Sequence, residues 1–324
     1  MIISKIRRKL KKWNVFAGPV NGSLMRKMGH SPREKLLIIH ADDLGLSQSQ
    51  NKATIQSMTE GIVNSASLMM PCRYAYEAID MLKDHPELDI GLHLTLTCEW
   101  SEYKWGALSP ASEVPSLLNE EGHMHPDCLT FLENAHPEEV EIEMRAQIQS
   151  CIRAGIMPSH LDSHMSCIFK GRPEYLVSYL KVGKEFGIPA MVRPEVLKSA
   201  SNNLPHLFKD LEVGDLLTVD HVYIASEKQY ELKGMNWIYS NLLKNLQPGI
   251  NVLLIHPAFD DDEMKRITSG HRYWNAAWRQ ADYDFFMSQK SKNALHQYNI
   301  KLITWKEINE IKNSNKNTRS STGI

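Results

Sequence analysis

Leu36-Leu37-Ile38-Ile39-His40-Ala41-Asp42-Asp43-Leu44-Gly45 is the stretch whose reading decides the fold. The apolar run over 36–40 has the length of a fully buried strand, and it ends in Ala-Asp-Asp with a glycine close behind. Gln48–Glu60 then reads as a helix, with Ala53, Ile55 and Met58 as its apolar points and Gly61 at its end. A buried strand feeding a helix is the repeating unit of a parallel α/β protein.

The unit recurs along the chain. Val63–Met70 is strand-like and stopped by Pro71, Ala75–Lys83 reads as helix, and Asp89–Thr97 as strand. Pro137–Ala154 is a predicted helix, with Glu138, Glu139 and Glu141 near its positive end and Gly155 just beyond it. His160–His164 follows as a strand, and Pro173–Phe186 as a helix closed by Gly187. Further strands are expected around Val192 and over Leu217–Tyr223, Asn251–His256 and Lys301–Trp305. About seven strands across 35–310 fit a single barrel-like (β/α) domain better than two domains. Residues 98–136 break the rhythm. They are rich in Pro, Glu and aromatic side chains and too long for an ordinary connection, which is the signature of a lid-like insertion beside a binding site.

Composition sets the outer bounds. The 324 residues are 42% hydrophobic and 23% charged, as in a globular protein that buries a core. Lys and Arg total 37 against 38 acids, so no bulk charge draws the chain to nucleic acid. No apolar run approaches a membrane span. Residues 1–34 nevertheless form a basic extension: ten Lys/Arg fall within 1–35 against Glu34 alone, and the remainder sums to about −10. Within it, Ile6–Trp13 has the makings of a short basic amphipathic helix able to make weak contact with an anionic membrane surface, a solvated tail being the other reading. No signal-peptide core follows that basic stretch. Residues 311–324 read as a polar tail. Five cysteines (Cys72, Cys98, Cys128, Cys151, Cys167) are odd in number, widely spaced and without a CxxC pair. The expectation is no disulfide scaffold and no thiolate zinc site, with a reducing, cytoplasmic setting.

The chemistry sits at the ends of the apolar runs. Asp42 and Asp43 end the first, His93 lies within the third, His164 ends the run 160–164, and His256 ends the run 251–256. Carboxyl ends of parallel strands face one way, so these side chains converge. In 91–96 the leucines take one face, leaving Gly91, His93 and Thr95 on the other; in 160–164 both histidines and Asp162 share a face. With the leucines turned toward helices, the polar groups point into the barrel. One carboxylate and two imidazoles are a common three-ligand set for a catalytic divalent cation, and Asp43, His93 and His164 are the residues expected to supply it. Asp42 is then the general base beside an activated water, and His256 the donor of a proton to the leaving group. His160 would sit deeper as a supporting partner, and Asp162 would hold a ring N–H in place. Taken singly, an Asp-Asp pair is a turn or helix cap and a strand histidine belongs to the core; their coincidence at matching strand ends makes the site.

Ile39–Ser47, Gly91–Thr97, Pro158–His164 and Ile255–Ala258 resemble, in order, the four signatures of the YdjC-type carbohydrate deacetylases, the family that includes the bacterial enzyme deacetylating chito-oligosaccharides. The resemblance runs from about Lys35 to Glu307. It implies a distorted, polysaccharide-deacetylase-like (β/α) barrel and a divalent ion, Mg²⁺ or Zn²⁺, held by Asp43, His93 and His164. It also implies hydrolysis of an N-acetyl group from an amino sugar, with Asp42 as base and His256 as acid. Arg193 resembles a family arginine near the site, a structural salt bridge being equally compatible. Relatives often continue the run at 160–164 with further histidines, whereas Met165-Ser166 follow here. Trp100, Tyr103 and Trp105 are candidate walls for a sugar face, or else they pack the lid onto the barrel. Two other readings fit the motifs: a non-catalytic sugar-binding protein on the same fold, and a different Asp-His-His metal hydrolase or oxygenase. No motif specifies an oligomeric state.

Overall fold

The computed structural model of the chain describes residues 21–203, 205–208 and 219–311. Ile6–Trp13, the tail from 312 onward, and Leu217 and Thr218 lie outside them. After a short helix α1 (Gly22–Lys27) come β1 (Lys35–Leu44), α2 (Gln48–Thr59), β2 (Ser65–Leu68), α3 (Ala75–Leu82) and β3 (Ile90–Leu94). An insertion leads to α4 (Cys128–Asn134), α5 (Pro137–Arg153) and β4 (Leu161–Ser163). The chain continues through α6 (Pro173–Phe186), α7 (Pro194–Asn203), β5 (His221–Ile224), α8 (Glu227–Asn245) and β6 (Gly249–Ile255). It then runs through α9 (Asp262–Ile267), α10 (Ala276–Met287), α11 (Gln289–Gln297) and β7 (Ile300–Leu302).

All the strand pairings are parallel, in the order β4-β3-β2-β1-β6-β5, with β7 on the early part of β1. The sheet curls into an open barrel wrapped by helices, in agreement with the expected distorted (β/α) architecture. Strand parity divides the core. Leu37, Ile39, Leu92, Leu161, Leu253 and Ile255 face the helices, in one large apolar cluster. Leu36, Ile38, Ile250 and Val252 face inward and fill the barrel floor together with Trp305 and Ile308. Above that plug the inward positions turn polar: His40, Asp42, Gly91, His93, His160 and Asp162. The apolar floor closes one end, so among the described residues the polar groups of the interior gather at the carboxyl ends of the strands.

Several elements depart from expectation. The strand expected around Val192 is reduced to isolated bridge residues, Ala190 paired with Leu161 and Val192 itself, with α7 starting at Pro194. Trp305 starts a helical turn instead of ending the last strand, and its indole stacks on the His160 ring at 4.9 Å. The insertion 98–136 is better structured than a loop. It holds a 3₁₀ turn (Pro115–Leu117), a bridge between Leu118 and Met124, and α4.

The cysteine expectation is overturned. Cys128, at the start of α4, is joined to Cys167, three residues beyond His164, by a disulfide across 39 residues. Cys72, Cys98 and Cys151 are free and buried. The spacing argument failed because this pair meets only when the insertion folds back over the end of β4. The cysteines therefore carry no argument for a reducing compartment. Among the described residues no helix is long and apolar enough to cross a membrane.

Candidate active site

Strand alternation alone would turn Asp42 inward and Asp43 away. The register between β1 and β2 slips between Ala41 and Leu44, and Asp43 takes a left-handed backbone at φ 66°. Such an irregularity re-aims a side chain at the end of a strand. Both carboxylates consequently reach the barrel mouth, Asp42 6% and Asp43 1% exposed.

Asp43 Oδ1 lies 3.5 Å from His93 Nε2 and 3.3 Å from His164 Nδ1. The three donor atoms belong to one tight group, within 4.8 Å of one another. Asp43 Oδ1 is buried and has no hydrogen-bond partner. An orphaned carboxylate oxygen between two imidazole nitrogens is costly unless a cation completes the set, so these residues fit a divalent ion with mixed N and O donors.

The remaining ring nitrogens are each fixed from behind. His93 Nδ1 donates to Asp162 Oδ1 at 2.8 Å, and His164 Nε2 donates to Glu99 Oε2 at 2.9 Å. Asp162 Oδ2 in turn accepts from Ser67 Oγ at 2.9 Å and lies 3.0 Å from His40 Nε2. His40 also approaches Asp42 Oδ1 at 3.3 Å and Ser65 Oγ at 2.9 Å. Asp162 thus lies within hydrogen-bond distance of His93, Ser67 and His40 at once. His160 sits one layer deeper, 4.9 Å from the His40 ring.

Charge is strongly partitioned. Burial opposes ionisation of Asp43, but Arg279 Nη2, 2.9 Å from Oδ2, and the two imidazoles outweigh it, holding the carboxyl well below its usual range. Asp42 has no such cation. Burial pushes it up to about 7, against the pull of His93 and His40. Burial opposes protonation of His164 as well, but Glu99 and Asp43 raise it to about 9, so a cation taken up through Nδ1 would have to displace a proton there. His256 goes the other way: burial lowers it to about 3. Its Nε2 lies 3.6 Å from Asp42 Oδ2, and its backbone N–H donates to Asp282 at 2.9 Å.

The aromatic residues of the insertion are mostly interior. Trp100 and Trp105 are 2% and 4% exposed and belong to a second apolar cluster with Leu46, Met69 and Met264. They pack the lid onto the barrel mouth. Tyr103 is half-buried beside Trp105, and the Trp105 ring lies 6.1 Å from that of His164. Arg193 is half-buried just ahead of α7, where its carbonyl accepts from Leu197 N–H. Sequence reasoning missed Glu99, Arg279, Asp282 and Trp274. Trp274 has φ 59°, stands 5.0 Å from the His256 ring, and its carbonyl accepts from Arg279 Nε. None of the four ends an apolar run, which was the signal that marked Asp42, Asp43, His164 and His256.

A carbohydrate deacetylase from Brevibacillus brevis is 29% identical over 275 residues, covering 84% of this chain and 99% of the relative. One from Thermus thermophilus is 27% identical over 293 residues, covering 89% and 98%. The crystal structure of an Enterococcus faecalis protein proposed to act in cellobiose-phosphate cleavage superposes with a TM-score of 0.70 at 25% identity, over 85% of this chain and 99% of that one. The description "YdjC-like protein" matches residues 36–297, which span every strand but β7 and all five residues at the barrel mouth. The chain belongs to the YdjC-like protein family.

Proposed function

We propose that this protein is a metal-dependent hydrolase that removes an N-acetyl group from an amino sugar or oligosaccharide. The observation that carries the reading is the orphaned, buried Asp43 Oδ1 between His93 Nε2 and His164 Nδ1. The deacetylase names of relatives aligned over nearly their full length support the same chemistry. Asp43, His93 and His164 would hold one divalent ion, Mg²⁺ or Zn²⁺. When bound, such an ion polarises an acyl oxygen and acidifies a water molecule.

The chain's own groups supply the proton traffic. Asp42, with burial lifting its affinity for a proton, is the general base that deprotonates the attacking water. His256 is neutral at rest, because burial disfavours its charged form. To serve as acid it would have to receive the proton that Asp42 has removed, across the 3.6 Å between Oδ2 and Nε2. That transfer is uphill, from a carboxyl at about 7 to an imidazole at about 3, so His256 would hold the proton only in passing to the amine. One proton thus passes from water to the departing amine, and acetate and a free amino sugar leave. Tyr103 and Arg193 are the residues to test as substrate contacts. Trp100 and Trp105 are both too enclosed to present a ring face.

The experiment is acetate release from N,N'-diacetylchitobiose by protein treated with chelator and then resupplied with Mg²⁺ or Zn²⁺, alongside Asp42→Asn. Release that requires the ion and falls by roughly 10²–10⁴-fold in the variant is expected for a lost general base. Release that persists unchanged in Asp42→Asn removes Asp42 from the mechanism. No release and no bound ion would overturn the hydrolase reading.

A further inference from the structure

The two histidines beside Asp43 are supported from different parts of the molecule. For His93, Nε2 faces Asp43 while Nδ1 donates to Asp162, a barrel residue 1% exposed and held by Ser67 and His40. For His164 the nitrogens are exchanged: Nδ1 faces Asp43 and Nε2 donates to Glu99 Oε2 at 2.9 Å. Glu99 lies across the imidazole from Asp43, so it cannot share the same ion. It holds the ring by its far edge.

A metal-bound imidazole keeps its second nitrogen protonated and needs an acceptor there to set ring orientation and donor strength. Asp162 fills that need from within the sheet, whereas Glu99 comes from the insertion. The lid's other end grips the same segment. Cys128 is joined to Cys167, and the residues between, Met165 and Ser166, take left-handed backbones at φ 52° and 56°. The lid thus holds the ring of His164 at one end and the chain just after it at the other.

We infer that Glu99 is a positioning residue for His164, and that the lid, through it, sets the affinity of the site for its divalent ion. The inference rests on the proposed metal site. It requires that the site be tight only when the lid is seated, because half of the imidazole support leaves with it.

The test is direct titration of chelator-treated full-length protein with Zn²⁺ against a chromophoric competitor, for wild type, Glu99→Ala, Glu99→Gln and Glu99→Asp. Near-ultraviolet circular dichroism would verify folding of each. Glu99→Ala is expected to bind Zn²⁺ about 10–100-fold more weakly. Glu99→Gln, whose carboxamide oxygen can still accept from Nε2–H, should recover most of that loss. Glu99→Asp keeps the charge but withdraws the acceptor by one methylene, and should resemble Ala. If Co²⁺ replaces Zn²⁺, the visible band shape should change in Ala and Asp and be retained in Gln. A lid latch with no role in the site would lower thermal stability and leave Zn²⁺ affinity within twofold of wild type in all three variants, which would overturn the inference. Should Glu99→Ala not fold, the Gln and Asp pair still decides, since equal affinities for those two would also overturn it. Wild type that binds no Zn²⁺, Mg²⁺ or Co²⁺ sinks the metal reading itself, a failure visible without any variant.

Discussion

Asp42 and Asp43 are neighbours in the chain, and their chemistry is separated by one contact. Arg279 is 1% exposed and spends its guanidinium on three partners: Asp43 Oδ2, Gln50 Oε1 and the Trp274 carbonyl. Asp43 stays charged, while Asp42 rises toward neutral pH, which is what the proposed roles of ligand and base would need. Removing one member of a buried pair leaves an uncompensated charge, which costs about 3–5 kcal/mol. Arg279→Met should therefore lose stability on that scale in urea unfolding of chelator-treated protein. A loss below about 1 kcal/mol would mean that the two imidazoles already satisfy Asp43. Four of the five residues at the mouth were legible in the sequence because each stands at the polar end of an apolar run, and His93 because it breaks the leucine alternation inside one. Arg279 was not, since a buried arginine on an amphipathic helix looks like any solvated one until its partner 236 residues away is known.

At the scale of elements, the strand faces were readable from period two. Gly91, His93, His160 and Asp162 do share the barrel interior, and the leucines between them do face helices. The pattern could not reveal how tightly the inward layer is built. A β-carbon added at Gly91 would stand 2.3 Å from His160 Cε1 and 2.6 Å from both ring nitrogens. The imidazole is itself backed by Trp305 and has nowhere to retreat. Gly91→Ala should accordingly cost about 1–3 kcal/mol as an overpacked site. A thermal scan showing an unchanged midpoint would mean that β3 can shift away from β4 and that the His layer is softer than its packing implies. Helices α8, α10 and α11 escaped the sequence reading, because between 225 and 297 polar and aromatic residues interrupt the apolar stripe. The lid's internal order escaped it too, being made by isolated bridges and a long-range disulfide that leave no local period.

For the whole molecule, Asp282 connects the helical layer to the catalytic edge. It is fully buried on α10, accepts from Tyr239 of α8 at 2.6 Å, and accepts the His256 N–H at the end of β6. Burial raises its carboxyl to about 7, against the pull of those two donors. Between about pH 4, where an unfolded Asp titrates, and about pH 7 the folded protein holds a proton that the unfolded chain releases. This group's contribution is thus complete below the lower value and is lost as pH rises through the upper one. The other buried acids and histidines tilt the profile in both directions, so the clean observable is a difference. Relative to Asp282→Asn, metal-free wild type should lose urea stability between pH 5 and pH 8. Parallel profiles for the two proteins would show that Asp282 ionises normally in the fold.

The bond between Cys128 and Cys167 ties α4, α5 and β4 into one covalent ring. A peptide bond broken inside that ring between Cys128 and His164 leaves both halves of the molecule on a single covalent skeleton, with His93 on one piece and His164 on the other. Proteolytic damage there yields no separate fragment on a gel run without a reductant, only one added water in the intact mass, and the nicked enzyme does not come apart.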